Sequence, residues 1–251
     1  MTDSVKLEIQ DSVLELVINR EDAGNALSNE IIATMNELLM EHRDRSDLKC
    51  VCIKGSGEKF FFAGGDLKEL ISVKEDNETE AMAMNGRAML DQIRYFPVPV
   101  IANINGYALG GGAELAMACD YRIACQNAKF GFIHSSLGIT TAWGGIIDLI
   151  DSVGSSKALS ILIEGKMMNA EEAFAHGIIQ EVEKTQEALE ARIDALKNTY
   201  RSTPIHVIRG IKAVTSQHKR SIHDQLKKVE LNSFKRTWMS EAHWEKVNEF
   251  S

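Results

Sequence analysis

The sequence predicts an α/β domain followed by an all-helical extension, and three observations predict it. Short apolar strands recur, strand, strand and helix, through the first part of the chain. One such unit, residues 98–120, runs from a buried strand into an apolar helix through the glycine run Gly110-Gly111-Gly112. From Glu187 onward no strand pattern is left, only helical spacing. At 251 residues, 44% hydrophobic and 25% charged, the chain is long enough to bury a full core as one domain with an appendage.

Val5, Leu7 and Ile9 alternate with polar residues, and the apolar run 13–18 follows Asp11-Ser12, which reads as a hairpin. Ser28 is a good N-cap for a helix carrying Ile31, Ile32, Met35, Leu38 and Leu39. A strand is expected over 48–54, closed by Gly55-Ser56-Gly57. Phe60-Phe61-Phe62 reads as a buried strand end, Ala63-Gly64-Gly65 as a turn with exposed amides, and Asp66 as the cap of a short helix over 67–73. A Met-rich amphipathic helix follows over about 77–95, with Met82, Met84 and Met89 in the core, and Pro97 and Pro99 end it. Beyond the glycine unit come strands over 121–124 and 129–133, then a loop carrying His134, Ser135 and Ser136. Trp143-Gly144-Gly145 leads into a helix over 146–150. Helices over 155–164 and 170–176, a last strand over 178–182, and helices near 187–199, 204–217 and 221–237 complete the chain.

Composition removes several classes of function. A net charge of −8 argues against a nucleic-acid surface, so any anionic ligand must be bound locally. The start, MTDSVKLEIQ, has no basic-then-apolar signal, and a cytoplasmic location is expected. The 98–120 run is long enough to cross a bilayer, but its glycines, Asn103, Asn105 and Glu114 would be costly in lipid, so no membrane contact is expected. Cys50, Cys52, Cys119 and Cys125 lack C-x-x-C pairing and read as core residues. Seven histidines show no ligand spacing, and no metal is expected. No G-x-S-x-G exists to make Ser135 or Ser136 a hydrolase nucleophile.

The glycine join places bare N–H groups at a helix N-terminus, where partial positive charge collects. Glycine also lets a ligand approach that backbone closely. Glu114, in the first helical turn, then stands beside whatever those groups hold, as an acid or base stands beside an oxyanion hole. The same residues also fit a plain tight turn whose glutamate faces the helix dipole.

Taken together, Asn25-Ala26-Leu27, the segment from Phe62 to Leu67, the run from Pro99 to Asp120, Phe130-Gly131 with Leu137-Gly138, and Trp143-Gly144-Gly145 resemble the crotonase superfamily, the enoyl-CoA hydratase/isomerase group. The resemblance implies a spiral of β-β-α repeats over 1–185 and a helical oligomerisation region over 186–251, assembled as a homotrimer or a pair of trimers. It implies an acyl-CoA thioester substrate, coenzyme A being part of the substrate and no other cofactor being required. It assigns the oxyanion hole to the amides of Ala63 and Gly111, and substrate contacts to Ala26, Gly64, Gly65, Asp66 and Leu67. Trp143 reads equally as a pocket wall, in contact with substrate, or as a structural plug.

One departure stands out. Hydratases of the family use a second glutamate in a segment after a Phe-Gly pair, and here Phe130-Gly131-Phe132-Ile133-His134 places His134 there. The ethylmalonyl/methylmalonyl-CoA decarboxylases, a subgroup with a V-H segment and an S-W-G-G loop, are similar at Ile133-His134, at Ala142 to Gly145 and at Val207-Ile208-Arg209-Gly210. Loss of CO₂ makes the same enolate, and a second carboxylate would repel the substrate's own. The expected activity is an acyl-CoA lyase with Glu114 and His134 as catalytic residues, decarboxylation of a short 2-alkylmalonyl-CoA being the specific reading. A 2-enoyl-CoA hydratase or isomerase is the alternative, and a non-catalytic acyl-CoA-binding module the third possibility.

Overall fold

A computed structural model describes residues 3–249. The chain begins as its alternation demands, with β1 (Val5–Gln10) and β2 (Val13–Ile18) in an antiparallel hairpin. Asp11 and Ser12 turn it with φ of 49° and 67°, the two positive values that a tight type I′ turn needs. In α1 (Asn29–His42) the Ile31 amide donates to the Ser28 hydroxyl, and the five apolar residues anticipated for this helix are buried. Next come β3 (Cys50–Gly55), β4 (Phe60–Phe62), α2 (Leu67–Leu70), whose Lys68 amide donates to the Asp66 cap, and α3 (Asp76–Arg94). Then follow β5 (Val100–Ile104), β6 (Tyr107–Leu109), α4 (Gly111–Ala118), β7 (Tyr121–Cys125) and β8 (Lys129–Gly131). A 3-10 turn, Ile133–Leu137, and an irregular loop lead to α5 (Gly145–Val153) and α6 (Ser155–Glu164). The remainder is β9 (Met168–Asn169), α7 (Ala170–Ala175), β10 (Glu181–Glu183), α8 (Gln186–Ser202), α9 (Ile205–Trp238) and α10 (Glu241–Glu249).

The strands form two sheets, in the orders β1-β2-β3-β5-β7-β10 and β4-β6-β8-β9. The hairpin β1-β2 lies wholly in the larger sheet; after it, three successive units, β3-β4, β5-β6 and β7-β8, each give their first strand to the larger sheet and their second to the smaller, and within a sheet these strands run parallel. This is the spiral of repeats expected of the α/β fold. Leu189 and Ile193 of α8 pack with Val13, Cys50, Cys52, Ile101, Ile123 and Cys125, so the cysteines are core residues as expected. Among the described residues no helix is long and apolar enough to cross a membrane.

Several elements differ from the sequence expectation. The expected break near 218–220 is absent, and 205–238 is one helix, because the polar run there interrupts the apolar period without containing glycine or proline. The strand expected over 129–133 stops at Gly131, and Ile133 opens the 3-10 turn. The last strand is displaced to Glu181–Glu183, since the Ile178 amide donates to Ala173 O to close α7. Met84 is exposed, Met82 is half-buried, and only Met89 of the three lies fully in the core.

Two features fix the glycine helix and the loop after it. A Cβ added at Gly112 would stand 2.1 Å from Phe62 O, so α4 lies on β4 at a distance that only glycine permits. Arg94, fully buried, donates from Nε to Asp148 at 2.9 Å and from Nη2 to Trp143 O at 2.6 Å, while His223 Nε2 lies 3.0 Å from the other Asp148 oxygen. Burial alone would raise the Asp148 carboxyl; the Arg94 charge and the His223 bond more than reverse this and hold it below the usual carboxylate range.

Gly112→Ala should cost about 1–3 kcal/mol, the usual price of overpacking a tight contact, and urea denaturation measures it. Because the Asp148 pKa is depressed by folding, its contribution is complete above about pH 4 and is lost as pH falls through the carboxylate range. Asp148→Asn should therefore flatten the decline of stability between about pH 4 and 2, as followed by circular dichroism.

Candidate active site

A cavity of about 680 Å³, counted with its open mouth, lies between the Ala63-Gly64-Gly65 turn, the start of α4, the 3-10 turn, the loop before α5 and the end of α9. Its polar groups converge at one end. Glu114 and His134, far apart in sequence, meet there: Glu114 Oε1 is 3.2 Å from His134 Nε2. Both residues are buried. The other carboxylate oxygen, Oε2, accepts the amides of Trp143 at 2.9 Å and Gly145 at 2.8 Å. Burying a carboxylate is costly unless it is hydrogen-bonded, and these two N–H groups supply that compensation. Oε2 is thus committed to the loop, and Oε1 is the oxygen turned to the histidine. His134 Nδ1 is buried with no partner among the described residues.

The oxyanion hole needs two N–H groups that nothing else accepts. Gly111 meets this: the Gly110 carbonyl turns into α4 to accept from Ala113 and Glu114, which leaves the Gly111 N–H directed out of the helix end. Ala63 does not meet it. Its N–H donates to Gly24 O at 3.0 Å. One residue on, the Gly64 carbonyl accepts from Leu27 at 2.8 Å, so in a trans peptide the Gly65 N–H points the opposite way. No described protein group accepts it, and Gly65 lines the cavity. The expectation for Ala63 is corrected accordingly, and Gly65 is the free amide of this turn. The two turns abut: a Cβ on Gly64, where φ is +115°, would stand 3.1 Å from Leu109 O and 3.6 Å from Gly111 N.

Trp143, read as either a wall or a plug, lines the cavity and also fills a slot in the packing. Its indole lies between Gly86 and Gly111, where added Cβ atoms would come within 2.1 Å and 2.4 Å of its ring. Gly64 and Leu67 line the cavity as well, Leu67 being half exposed at 52%. Ala26 and Asp66 do not line it. Asp66 is occupied by the Lys68 amide and by Arg20 Nη1 at 2.5 Å. Phe234 and Trp238 of α9 form the far apolar wall with Leu70, Met82, Leu137 and Ile139. Sequence reasoning missed these two aromatics, because residues four apart on a helix look the same whether they face a core or a cavity. Among the described residues no group of three or more His, Cys, Asp or Glu side chains could hold a metal ion.

Comparison with known proteins identifies the family and the fold. The family model described as enoyl-CoA hydratase/isomerase matches residues 8–250. A putative enoyl-CoA hydratase/isomerase of Bacillus subtilis is 40% identical over 72% of this chain and 70% of its own length. A crotonyl-CoA hydratase of Syntrophomonas wolfei is 33% identical over 92% of this chain and 88% of its own. Among solved structures, an enoyl-CoA hydratase from Bacillus halodurans superposes with a TM-score of 0.91 at 23% identity, covering 98% of this chain and 100% of that one. A full-length family match, with relatives above 30% identity and a superposable fold, shows that this chain belongs to the enoyl-CoA hydratase/isomerase family of the crotonase superfamily.

Proposed function

We propose that the protein hydrates a short 2-enoyl-CoA thioester, or runs the reverse dehydration, through a thioester enolate. The observation that carries this reading is the buried meeting of Glu114 Oε1 and His134 Nε2 in the cavity lined by Gly65 and Gly111, whose N–H groups are unclaimed. The thioester oxygen accepts from those two amides, which stabilise the negative charge that develops on it; one such donor is worth on the order of 10²–10³ in rate. A water held by Glu114 and His134 adds to C3 of the substrate. Its proton passes to Glu114 Oε1, the electrons of the C2–C3 double bond move toward the thioester oxygen, and C2 then takes a proton from the Glu114–His134 pair. The names of two relatives, a crotonyl-CoA hydratase and a short-chain-enoyl-CoA hydratase, support the reading. So does the cavity lining, which among the described residues includes neither Lys nor Arg to meet a substrate carboxylate.

Decarboxylation of a short 2-alkylmalonyl-CoA is the second reading, favoured by one observation: a histidine, and no second carboxylate, faces Glu114. The bond from C2 to the carboxylate breaks, its electron pair enters the same enolate, and His134 delivers a proton to C2.

Incubation with crotonyl-, methylmalonyl- and ethylmalonyl-CoA, with products followed by mass, separates the two. Addition of one water to crotonyl-CoA is the expected outcome; loss of CO₂ from a malonyl-type thioester with no hydration would replace the first reading by the second. Turnover of none of them, with thioester binding retained, would leave only a binding module. Glu114→Gln should lower turnover by about 10²-fold or more while thioester binding, followed by calorimetry, persists.

A further inference from the structure

A second buried carboxylate sits behind the first. Glu230 of α9 accepts the Thr141 hydroxyl at 2.5 Å through Oε1, which also lies 3.4 Å from the Ile146 amide, and its Oε2 pairs with Arg87 of α3. Thr141 Oγ1 accepts the Ile146 amide in turn, at 3.1 Å. All three side chains are buried. Residues 141–146 are therefore gripped twice, since Glu114 takes the amides of Trp143 and Gly145 while Glu230 takes groups at both ends of the same short turn. Burial and the nearby Glu114 carboxylate push the Glu230 carboxyl up, and Arg87 and the Thr141 bond oppose them. Two carboxyl groups buried in one network are costly unless each is hydrogen-bonded, and the loop between them supplies bonds to both.

We propose that Glu230 is a positioning residue, which through Thr141 and Ile146 holds the turn whose Trp143 and Gly145 amides aim Glu114. This rests on the reading of Glu114 as the group that moves the proton. A buried acid aimed by two amides loses alignment when the amides shift, and displacement of about 1 Å can cost on the order of 10² in rate. Glu230 lies outside the cavity lining, so substrate binding is not its task.

The test uses Glu230→Gln and Thr141→Val, the second of which removes the hydroxyl and leaves the Arg87–Glu230 pair in place. Each is made in the parent protein and in the Glu114→Gln protein. In the parent, kcat should fall about 10- to 100-fold with KM within about twofold, and exchange of the Trp143 and Gly145 amides with deuterium should quicken about tenfold or more. In the Glu114→Gln protein, either change should cost less than about twofold more, because residues acting as one unit are not additive. Glu230→Asp, which keeps the charge, should retain more activity than Glu230→Gln. Equal losses in both backgrounds, or unchanged exchange at the two amides in both variants, would overturn the proposal. Because exchange is read without turnover, quickened exchange in a protein that acts on no thioester would overturn the reading of Glu114 and leave the grip on the turn intact.

Discussion

The two hydrogen bonds from the Trp143 and Gly145 amides to Glu114 Oε2 are the constraint on which the site depends. A carboxylate on an apolar helix has to be both buried and aimed, and these bonds accomplish both. They require the loop before α5 to lie against α4 at one distance. Arg94 secures that loop through the Trp143 carbonyl, and Asp148 and His223 secure Arg94. Charged groups from α3, α5 and α9 thus reach the site by way of backbone, and none of them lines the cavity.

Glycines set the other distances. Gly112 brings α4 onto β4, and Gly86 and Gly111 leave the slot that the Trp143 indole fills. Trp143 consequently serves twice, its backbone holding the acid and its ring closing the cavity beside the Gly111 amide. A larger residue at either glycine would move the ring, and with it the amide on which Glu114 relies.

Much of this was legible in the sequence because local chemistry decides it. Strand alternation, the Ser28 and Asp66 caps, and the burial of Cys50 and Cys52 all follow from residue type and spacing, whereas the resemblance alone singles out His134, and its contact with Glu114 is seen only in the fold. What was not legible depends on partners distant in sequence. Whether Ala63 or Gly65 offers its N–H turns on the Gly24 carbonyl accepting from Ala63 and the Leu27 amide donating to the Gly64 carbonyl, and no spacing rule reports that. Nothing in the pattern of residues 221–237 sets Glu230 apart from its neighbours; packing against Thr141 and Arg87 does. The helix 205–238 was divided because an apolar period can lapse where a helix does not.

The order of the smaller sheet has a consequence of its own. β4, β6 and β8 are neighbours in that sheet and second strands of three successive units. Gly65 follows the first of them, Gly111 the second and His134 the third. The site is one structural address repeated three times and read side by side, at the carboxyl ends of parallel strands where open α/β sheets place their ligands. Two repeats supply main-chain dipoles, at glycines whose lack of a side chain leaves room for the Trp143 and Leu70 side chains, whereas the third supplies a side chain. Such a division lets the side chain at the third address vary without moving the two amides that the other addresses present.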